Sequence, residues 1–600
     1  MRVGKCVSVV LVAFLAGTGG IVSAVEPVDP ELIPEGRRVL EYLHEIYGQK
    51  TLAGIASYGG RRPVQEICGR LPAVYGEDAF GWNKPKWGKS YTGVMDRNFK
   101  DIHDWWHIHG GIPQMQFHWG KPGDPNGSAW VSGDKGTGPV DVKATITPGT
   151  PEHEAAMEDL RRTADYLERL HEAQVPILWR PFHEIEGGWF WWTDKETPEN
   201  TAALWRMMYD YLVNERGLHN LIWVYSSALR PGGLPKDASL EDEIAFRKRY
   251  YPGDEYVDFV GIDIYPNDYY GWGNPTEDTY RKAFEIMQKV APGKMIALCE
   301  CAAIPNPDML AEKGPGWLYA LPWFVGGQNP PEWIAETFSH AQIVTLDEMP
   351  QLVPHNIAPT ARIASPADGA QVPTEFSLAV NLKDRDGNLL SASLYVLPGT
   401  WKDWAMRSEQ DILDLVPQAR LIAERATSRE WIGMSAQLEP GLYDVMVMAR
   451  DSAGMVGQSN VVRVIVGLED LARGKPVEAS SHPETAAAAV DGNMYTPWSG
   501  AKEGEQWITV DLEQPQRVGA VAATWWKAYA KAYRVELSTD GKTWTSVAEI
   551  TDKRGYEGDT DIFRFEPQTA RYVRLSCREP GTSWGGYTLY NLSVFEKLPE

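Results

Sequence analysis

Residues 179–192, Trp-Arg-Pro-Phe-His-Glu-Ile-Glu-Gly-Gly-Trp-Phe-Trp-Trp, gather side chains that move protons. They follow Val175-Pro-Ile-Leu, an apolar run of strand character, and turn at Gly187 and Gly188 before a cluster of indoles. Arg180, His183 and Glu184 therefore stand at the C-terminal end of a buried strand, where ionisable groups are costly unless paired or used. Taken singly, Arg180 and Glu184 read equally well as an ion pair, His183 as a hydrogen-bonded core residue and the indoles as apolar filling. Their concentration at one strand exit points to a site. A second carboxylate, Glu300, closes the apolar run Met295-Ile-Ala-Leu-Cys-Glu-Cys. Alone it reads as a capping or salt-bridged group; with Glu184 it makes a pair in which one carboxyl gives a proton and the other, ionised, attacks carbon. Alternation along the strand sets Cys299 and Cys301 opposite Glu300, toward a helix layer.

The elements that must position these groups alternate between short apolar runs and amphipathic helical stretches, the pattern of a parallel α/β fold. Candidate strands cover 51–58, 73–78, 112–119, 176–184, 221–227, 259–266, 295–301 and 318–326. Between them lie helix candidates such as 95–109, 151–173, 201–216 and 276–290. Eight strands are the number a (β/α)8 barrel needs, and such barrels collect their chemistry at the C-terminal strand ends. Those ends carry His118, His183 with Glu184, Asp263 with Tyr265, Glu300 and, near the eighth, Trp323. A doubly wound sheet is the rival, but no glycine-rich phosphate loop follows the first strand.

Composition limits the partners. The 600 residues call for two to four domains, and 43% hydrophobic residues is usual for a soluble globular protein. Lys+Arg 58 against Asp+Glu 81 leaves a net charge of −23, which repels nucleic acid and anionic lipid. The 25 tryptophans suit the apolar faces of sugar rings as well as protein cores. Arg2 and Lys5, an apolar run from Val7 to Ala16 and Val22-Ser-Ala24 read as an export signal over 1–24, so a secreted protein is expected. No run is long enough to span a membrane. Cys68, Cys299, Cys301 and Cys577 permit disulfides without fixing any pairing.

The 179–192 stretch resembles the acid/base motif of glycoside hydrolase family 26, best known for β-mannanases, with Ile185 and Glu186 standing where Met and Asn are usual. Tyr256-Val-Asp-Phe-Val-Gly-Ile-Asp-Ile-Tyr, Ile304-Pro-Asn-Pro-Asp and Ile343-Val-Thr-Leu-Asp-Glu-Met-Pro look like the same family, so the resemblance covers nearly all of 50–350 within a barrel domain over 25–355. The resemblance implies Glu184 as acid/base and Glu300 as nucleophile of a retaining glycosidase that needs no cofactor. Arg180 is expected to keep the nucleophile ionised, with burial and its negative neighbour raising Glu184. Tyr265 is expected to hydrogen-bond Glu300, His118 and His183 to orient hydroxyls or carboxylates, and Trp189 and Trp323 to stack on sugars. Asp263 joins them as a supporting group, and Glu186 adds a carboxylate near the site.

After 355 the pattern becomes period-two alternation with Asp-Gly turns, and 356–467 resembles a bacterial immunoglobulin-like β-sandwich, read as a spacer. The segment 468–600 carries Ala489-Val-Asp-Gly-Asn-Met-Tyr-Thr-Pro-Trp, Trp507-Ile-Thr-Val-Asp-Leu and Ala570-Arg-Tyr-Val-Arg-Leu. These resemble the discoidin, or coagulation factor type C, fold that includes carbohydrate-binding module family 32. By that resemblance Trp525, Trp526 and Trp584 are candidate sugar platforms, core packing being the alternative for at least one. Asp491, Thr496 and Asn591 are candidates for a structural calcium. The reading is therefore a secreted endo-β-1,4-mannanase acting on β-mannan and targeted by a C-terminal sugar-binding domain. The alternatives are another β-glycan, such as β-1,3-xylan or mixed-linkage β-glucan, and a non-catalytic glycan-binding or adhesion protein.

Overall fold

The computed structural model describes residues 26–57, 60–80, 91–133, 136–235, 237–266, 275–308, 316–325, 328–398, 417, 419–526, 528–553, 560–583 and 585–599. Residues 1–24, read above as an export signal, and Trp584 lie outside the described residues.

Strands β1 (Thr51–Ala56), β2 (Val74–Phe80), β3 (Ile112–His118), β4 (Ile177–Pro181), β5 (Leu221–Ala228), β6 (Phe259–Ile264), β7 (Ile296–Cys301) and β8 (Tyr319–Pro322) pair in parallel. The ring closes where Leu52 of β1 lies opposite Tyr319 of β8. Each candidate strand read from the sequence is present, and β1, β5, β6, β7 and β8 are buried throughout, as helices on the outer face demand. Helix Pro151–Glu172 starts on a Thr150 hydroxyl that accepts the His153 N–H at 3.1 Å, with Pro at its first position. Trp105, Trp106, Trp179, Trp205, Trp223 and Trp317 are fully buried in the barrel domain, so much of the tryptophan content is packing.

One local departure governs the site. The strand expected over 176–184 stops at Pro181, and Phe182 and Glu184 both take left-handed φ of 50°. Such backbone costs on the order of 1–3 kcal/mol per non-glycine residue and persists only where its surroundings hold it. Here the Ile185 N–H donates to the Ser226 carbonyl at 3.2 Å, Gly187 N–H donates to the Glu184 carbonyl at 2.7 Å, and the Phe182 ring is buried beside Trp119, Trp192 and Trp205.

A second departure corrects the cysteines. Ile262 of β6 pairs with Leu298, but Asp263 pairs with Glu300, so Cys299 is an extra residue bulged out of register. Alternation fails there, and Cys299 turns inward with Glu300 rather than opposite it: its Sγ lies 3.2 Å from the Tyr319 hydroxyl, which donates to Gln114 at 2.5 Å. Gly261 on β6 makes room, since a Cβ there would collide with the Cys299 sulfur. Cys68, Cys299, Cys301 and Cys577 are all buried free thiols.

Beyond the barrel, Thr360–Ser365, Glu375–Lys383 and Trp431–Gln437 form one antiparallel sheet. A second sheet over Ala370–Val372, Leu389–Pro398, Arg420–Ala426, Gly441–Asp451, Val456–Gln458 and Val462–Val466 faces it across a core of Leu378, Val380, Leu394, Val447 and Val464. The C-terminal seven-stranded sheet packs around Trp498, Trp525, Tyr533, Val573 and Leu575. Helix Arg61–Cys68 of the barrel ties into both later units. Gln65 Nε2 donates to the Gln458 carbonyl at 2.7 Å, Glu66 Oε2 accepts the Val461 N–H at 2.9 Å, and the Tyr495 hydroxyl donates to the Glu66 carbonyl.

One expectation for the C-terminal unit is corrected. Trp525 is fully buried, its indole N–H donating to the Tyr533 hydroxyl at 3.3 Å, so it is core and no sugar platform; Trp526 is half-buried. The side chains proposed for calcium hydrogen-bond within the protein. Asp491 accepts from the Asn493 N–H and the Thr496 hydroxyl, each at 2.6 Å, within its own loop, whereas Asn591 is buried in the sheet opposite Thr524 and donates to Ser593 at 2.7 Å. Among the described residues no group of three His, Cys, Asp or Glu side chains could hold a metal ion.

Candidate active site

A cleft of about 420 Å³ opens at the C-terminal ends of the strands, lined by His118, His183, Glu184, Asp263, Tyr265 and Glu300 among aromatic and other walls. Glu300 is fixed at both carboxylate oxygens: Oε1 accepts from Arg180 Nη2, and Oε2 accepts from the Tyr265 hydroxyl at 2.8 Å. The other arm of the buried Arg180 guanidinium donates to Asp263 at 2.8 and 3.1 Å and to Ser226 Oγ at 3.2 Å, and Ser226 in turn donates to Asp263 at 2.9 Å. Arg180 thus bridges the ends of β6 and β7 from β4, a fork-shaped task that a lysine could not perform.

Glu184 lies half-buried across this cluster and accepts the Trp189 indole N–H at 2.7 Å. Burial first, then the charges of Asp263 and Glu300, push its carboxyl well above the usual carboxylate range, against the weaker pull of Trp189 and Arg180. Burial raises Asp263 as well, opposed by Arg180. One guanidinium faces three carboxyls, and Arg180 hydrogen-bonds two of them. Glu184 is the carboxyl of the three that Arg180 does not hydrogen-bond.

The histidines form a chain. His118 Nδ1 meets the Asp78 carboxylate, and His118 Nε2 lies 3.0 Å from His183 Nε2. Burial works to lower His118, but the charge and hydrogen bond of Asp78 override it and the net shift is upward. His183 is pushed well down by burial, then by His118 and Arg180. Both rings line the cleft.

Every barrel residue singled out from the sequence, save one, converges here. Glu186 does not: it is buried away from the cleft and paired with Arg247, whose second nitrogen also holds Glu243 at 2.7 Å. Of the indoles in the motif, Trp189 alone lines the cleft, while Trp191 and Trp192 are core. Trp323 lines the cleft as well. Asp78, Gln116 and Ser226 were missed, although all three lie within the strand stretches read from the sequence; reading every strand end for polar residues would have found Asp78. Trp130 and Phe324, 38% and 52% exposed on the cleft walls, lie on loops where no periodicity marks them.

Residues 28–349 match glycosyl hydrolase family 26 over more than half of the chain. The chain belongs to glycosyl hydrolase family 26. A second match, to the F5/8 type C domain, covers 476–591. Among family 26 relatives, the mannan endo-1,4-beta-mannosidase of Thermothelomyces thermophilus is 30% identical over 332 residues, 54% of this chain and 62% of its own length. Mannan endo-1,4-beta-mannosidase B of Piromyces sp. is 27% identical over 339 residues, 54% of this chain and 53% of its own. This chain thus spans somewhat more than half the length of these curated relatives. Among solved structures, GH26A from Muricauda sp. shares 32% identity over 54% of this chain and 99% of its own, with a TM-score of 0.44. The family 26 match ends ahead of both later β-sheet units, and all of the catalytic geometry above lies inside it.

Proposed function

We propose that this family 26 chain is a secreted, retaining endo-β-1,4-mannanase. The observation that carries the reading is the unequal treatment of two carboxyls in one cleft: Arg180 and Tyr265 bind both oxygens of Glu300, whereas Glu184 is pushed toward its protonated form. Ionised Glu300 attacks the anomeric carbon as the glycosidic C–O bond breaks, and the Glu184 proton passes to the departing oxygen. Glu184 then takes a proton from water, whose oxygen displaces Glu300 from the glycosyl-enzyme, so the product keeps its configuration. No metal or cofactor enters this scheme.

The choice of mannan is supported by the relatives, both named mannan endo-1,4-beta-mannosidases. The aromatic walls, Trp130, Trp189, Phe190, Trp323 and Phe324, suit the apolar faces of several sugar rings in a row. The immunoglobulin-like reading of 356–467 and a sugar-binding role for the F5/8 type C unit, with Trp526 as its platform, belong to the same proposal, as does export directed by 1–24.

The test is product analysis of the full chain on mannan, galactomannan, mixed-linkage glucan and β-1,3-xylan, beside Glu184→Ala and Glu300→Ala. Manno-oligosaccharides from the wild type, reduced at least about 10³-fold in Glu300→Ala, support the proposal. Turnover of glucan or xylan alone keeps the mechanism and replaces the substrate. Binding without turnover on all four assigns the chain to the glycan-binding class instead.

A further inference from the structure

Asp78 ends up behind the cleft, not in it. It sits toward the end of β2, 2% exposed, and its carboxylate serves two neighbours that each reach a different part of the site. Oδ2 receives His118 Nδ1, and also Gln116 Nε2 at 3.2 Å, while Oδ1 accepts the His118 backbone N–H at 3.3 Å. Gln116 turns its other end, Oε1, to Arg180 Nη2, the nitrogen that holds Glu300. His118 turns Nε2 to His183.

We infer that Asp78 is the positioning residue that orients both arms of the site, through Gln116 to Arg180 and Glu300 and through His118 to His183. The argument is one of donors and acceptors. A side-chain amide can face either way and a neutral imidazole can carry its proton on either nitrogen, so neither Gln116 nor His118 is oriented by its own chemistry. An ionised carboxylate only accepts. It draws the amide NH2 of Gln116 toward itself, which leaves the amide oxygen for Arg180, and it requires the proton on His118 Nδ1, which aims Nε2 at His183. Had Gln116 faced the other way, its NH2 would meet the guanidinium donor to donor and Arg180 would lose a partner near Glu300. His118 Nδ1 and Gln116 Nε2 both meet Oδ2, so Asp78→Asn with its amide oxygen in that place would still serve both arms, whereas Asp78→Ala removes the acceptor from both at once.

The inference rests on the glycosidase reading for its kinetic readout and on geometry alone for its spectroscopic one. In Asp78→Ala, kcat on mannan is expected to fall about 10- to 100-fold with KM within about threefold, the size of effect seen when a group that orients a reacting residue is lost. With 15N-histidine-labelled full-length protein, the protected His118 Nδ1–H signal of the wild type is expected to vanish in Asp78→Ala. It should persist in Gln116→Met, which cuts the Arg180 arm alone and lowers kcat less. Persistence of the signal in Asp78→Ala, or kcat within about twofold of wild type, overturns the inference. Should Asp78→Ala fail to fold, Gln116→Met carries the decision: an unchanged kcat there overturns the Arg180 arm, and a reduced kcat at constant KM supports it. If the wild type cleaves no β-glycan, the functional reading falls, and the His118 signal alone decides.

Discussion

The Trp189 indole N–H donates to Glu184 Oε2 at 2.7 Å, so the tryptophan expected only as a sugar platform also holds the carboxyl proposed as the proton donor. The bond favours the ionised form of Glu184, against the burial and the neighbouring Asp263 and Glu300 that raise it. Trp189→Phe keeps a ring and removes the donor. The Glu184 pKa then rises further, and because the first step needs Glu184 protonated, the alkaline limb of the kcat/KM profile moves to higher pH. A pH–rate series on a soluble manno-oligosaccharide checks the direction; a limb that stays put or moves down contradicts it.

Trp130 and Phe324 stand out because large apolar side chains are exposed on the walls of the same cleft. Trp130→Ala and Phe324→Ala should each cost about 1 kcal/mol of sugar stacking, roughly fivefold in KM for polymer, with kcat nearly unchanged. Steady-state kinetics on mannan separates the two constants, and a fall in kcat at constant KM would remove these residues from substrate binding.

The Glu186–Arg247 pair is a matter of stability. Both side chains are fully buried, and Arg247→Met would strand the Glu186 carboxylate, costing about 3–5 kcal/mol. Urea unfolding should show the loss, while the product pattern of the folded fraction stays that of the wild type. A changed product pattern would return Glu186 to the site.

In the C-terminal unit the two neighbouring indoles should part company. Trp525→Ala empties a buried site and should cost about 3–5 kcal/mol, whereas Trp526→Ala should leave the melting temperature nearly unchanged and weaken retention on insoluble mannan. Equal retention of wild type and Trp526→Ala would exclude that indole as a platform.

The barrel was legible because its strands are buried on both faces and its helices are amphipathic, so the alternation of apolar run and helical period carries through the segment. Glu184, Glu300, Arg180 and Tyr265 were legible because they fall at strand ends in a motif. What periodicity could not reveal were departures from it. The bulge at Cys299 turns that thiol inward, and the left-handed backbone at Phe182 and Glu184 ends β4 early. Glu186 was misplaced for a related reason: adjacency in sequence implied adjacency in the cleft, whereas the turn after Glu184 sends it to Arg247. Asp78 escaped although its signal, a carboxylate closing the strand stretch 73–78, stands in the sequence.

The central claim is that Glu300 attacks and Glu184 supplies the proton, and the anomer first released reports on it most directly. Proton NMR of manno-oligosaccharide hydrolysis, read before mutarotation, should show the β-anomer from the wild type and no release from Glu300→Ala. An α-anomer formed first, or undiminished release by Glu300→Ala, would contradict the account.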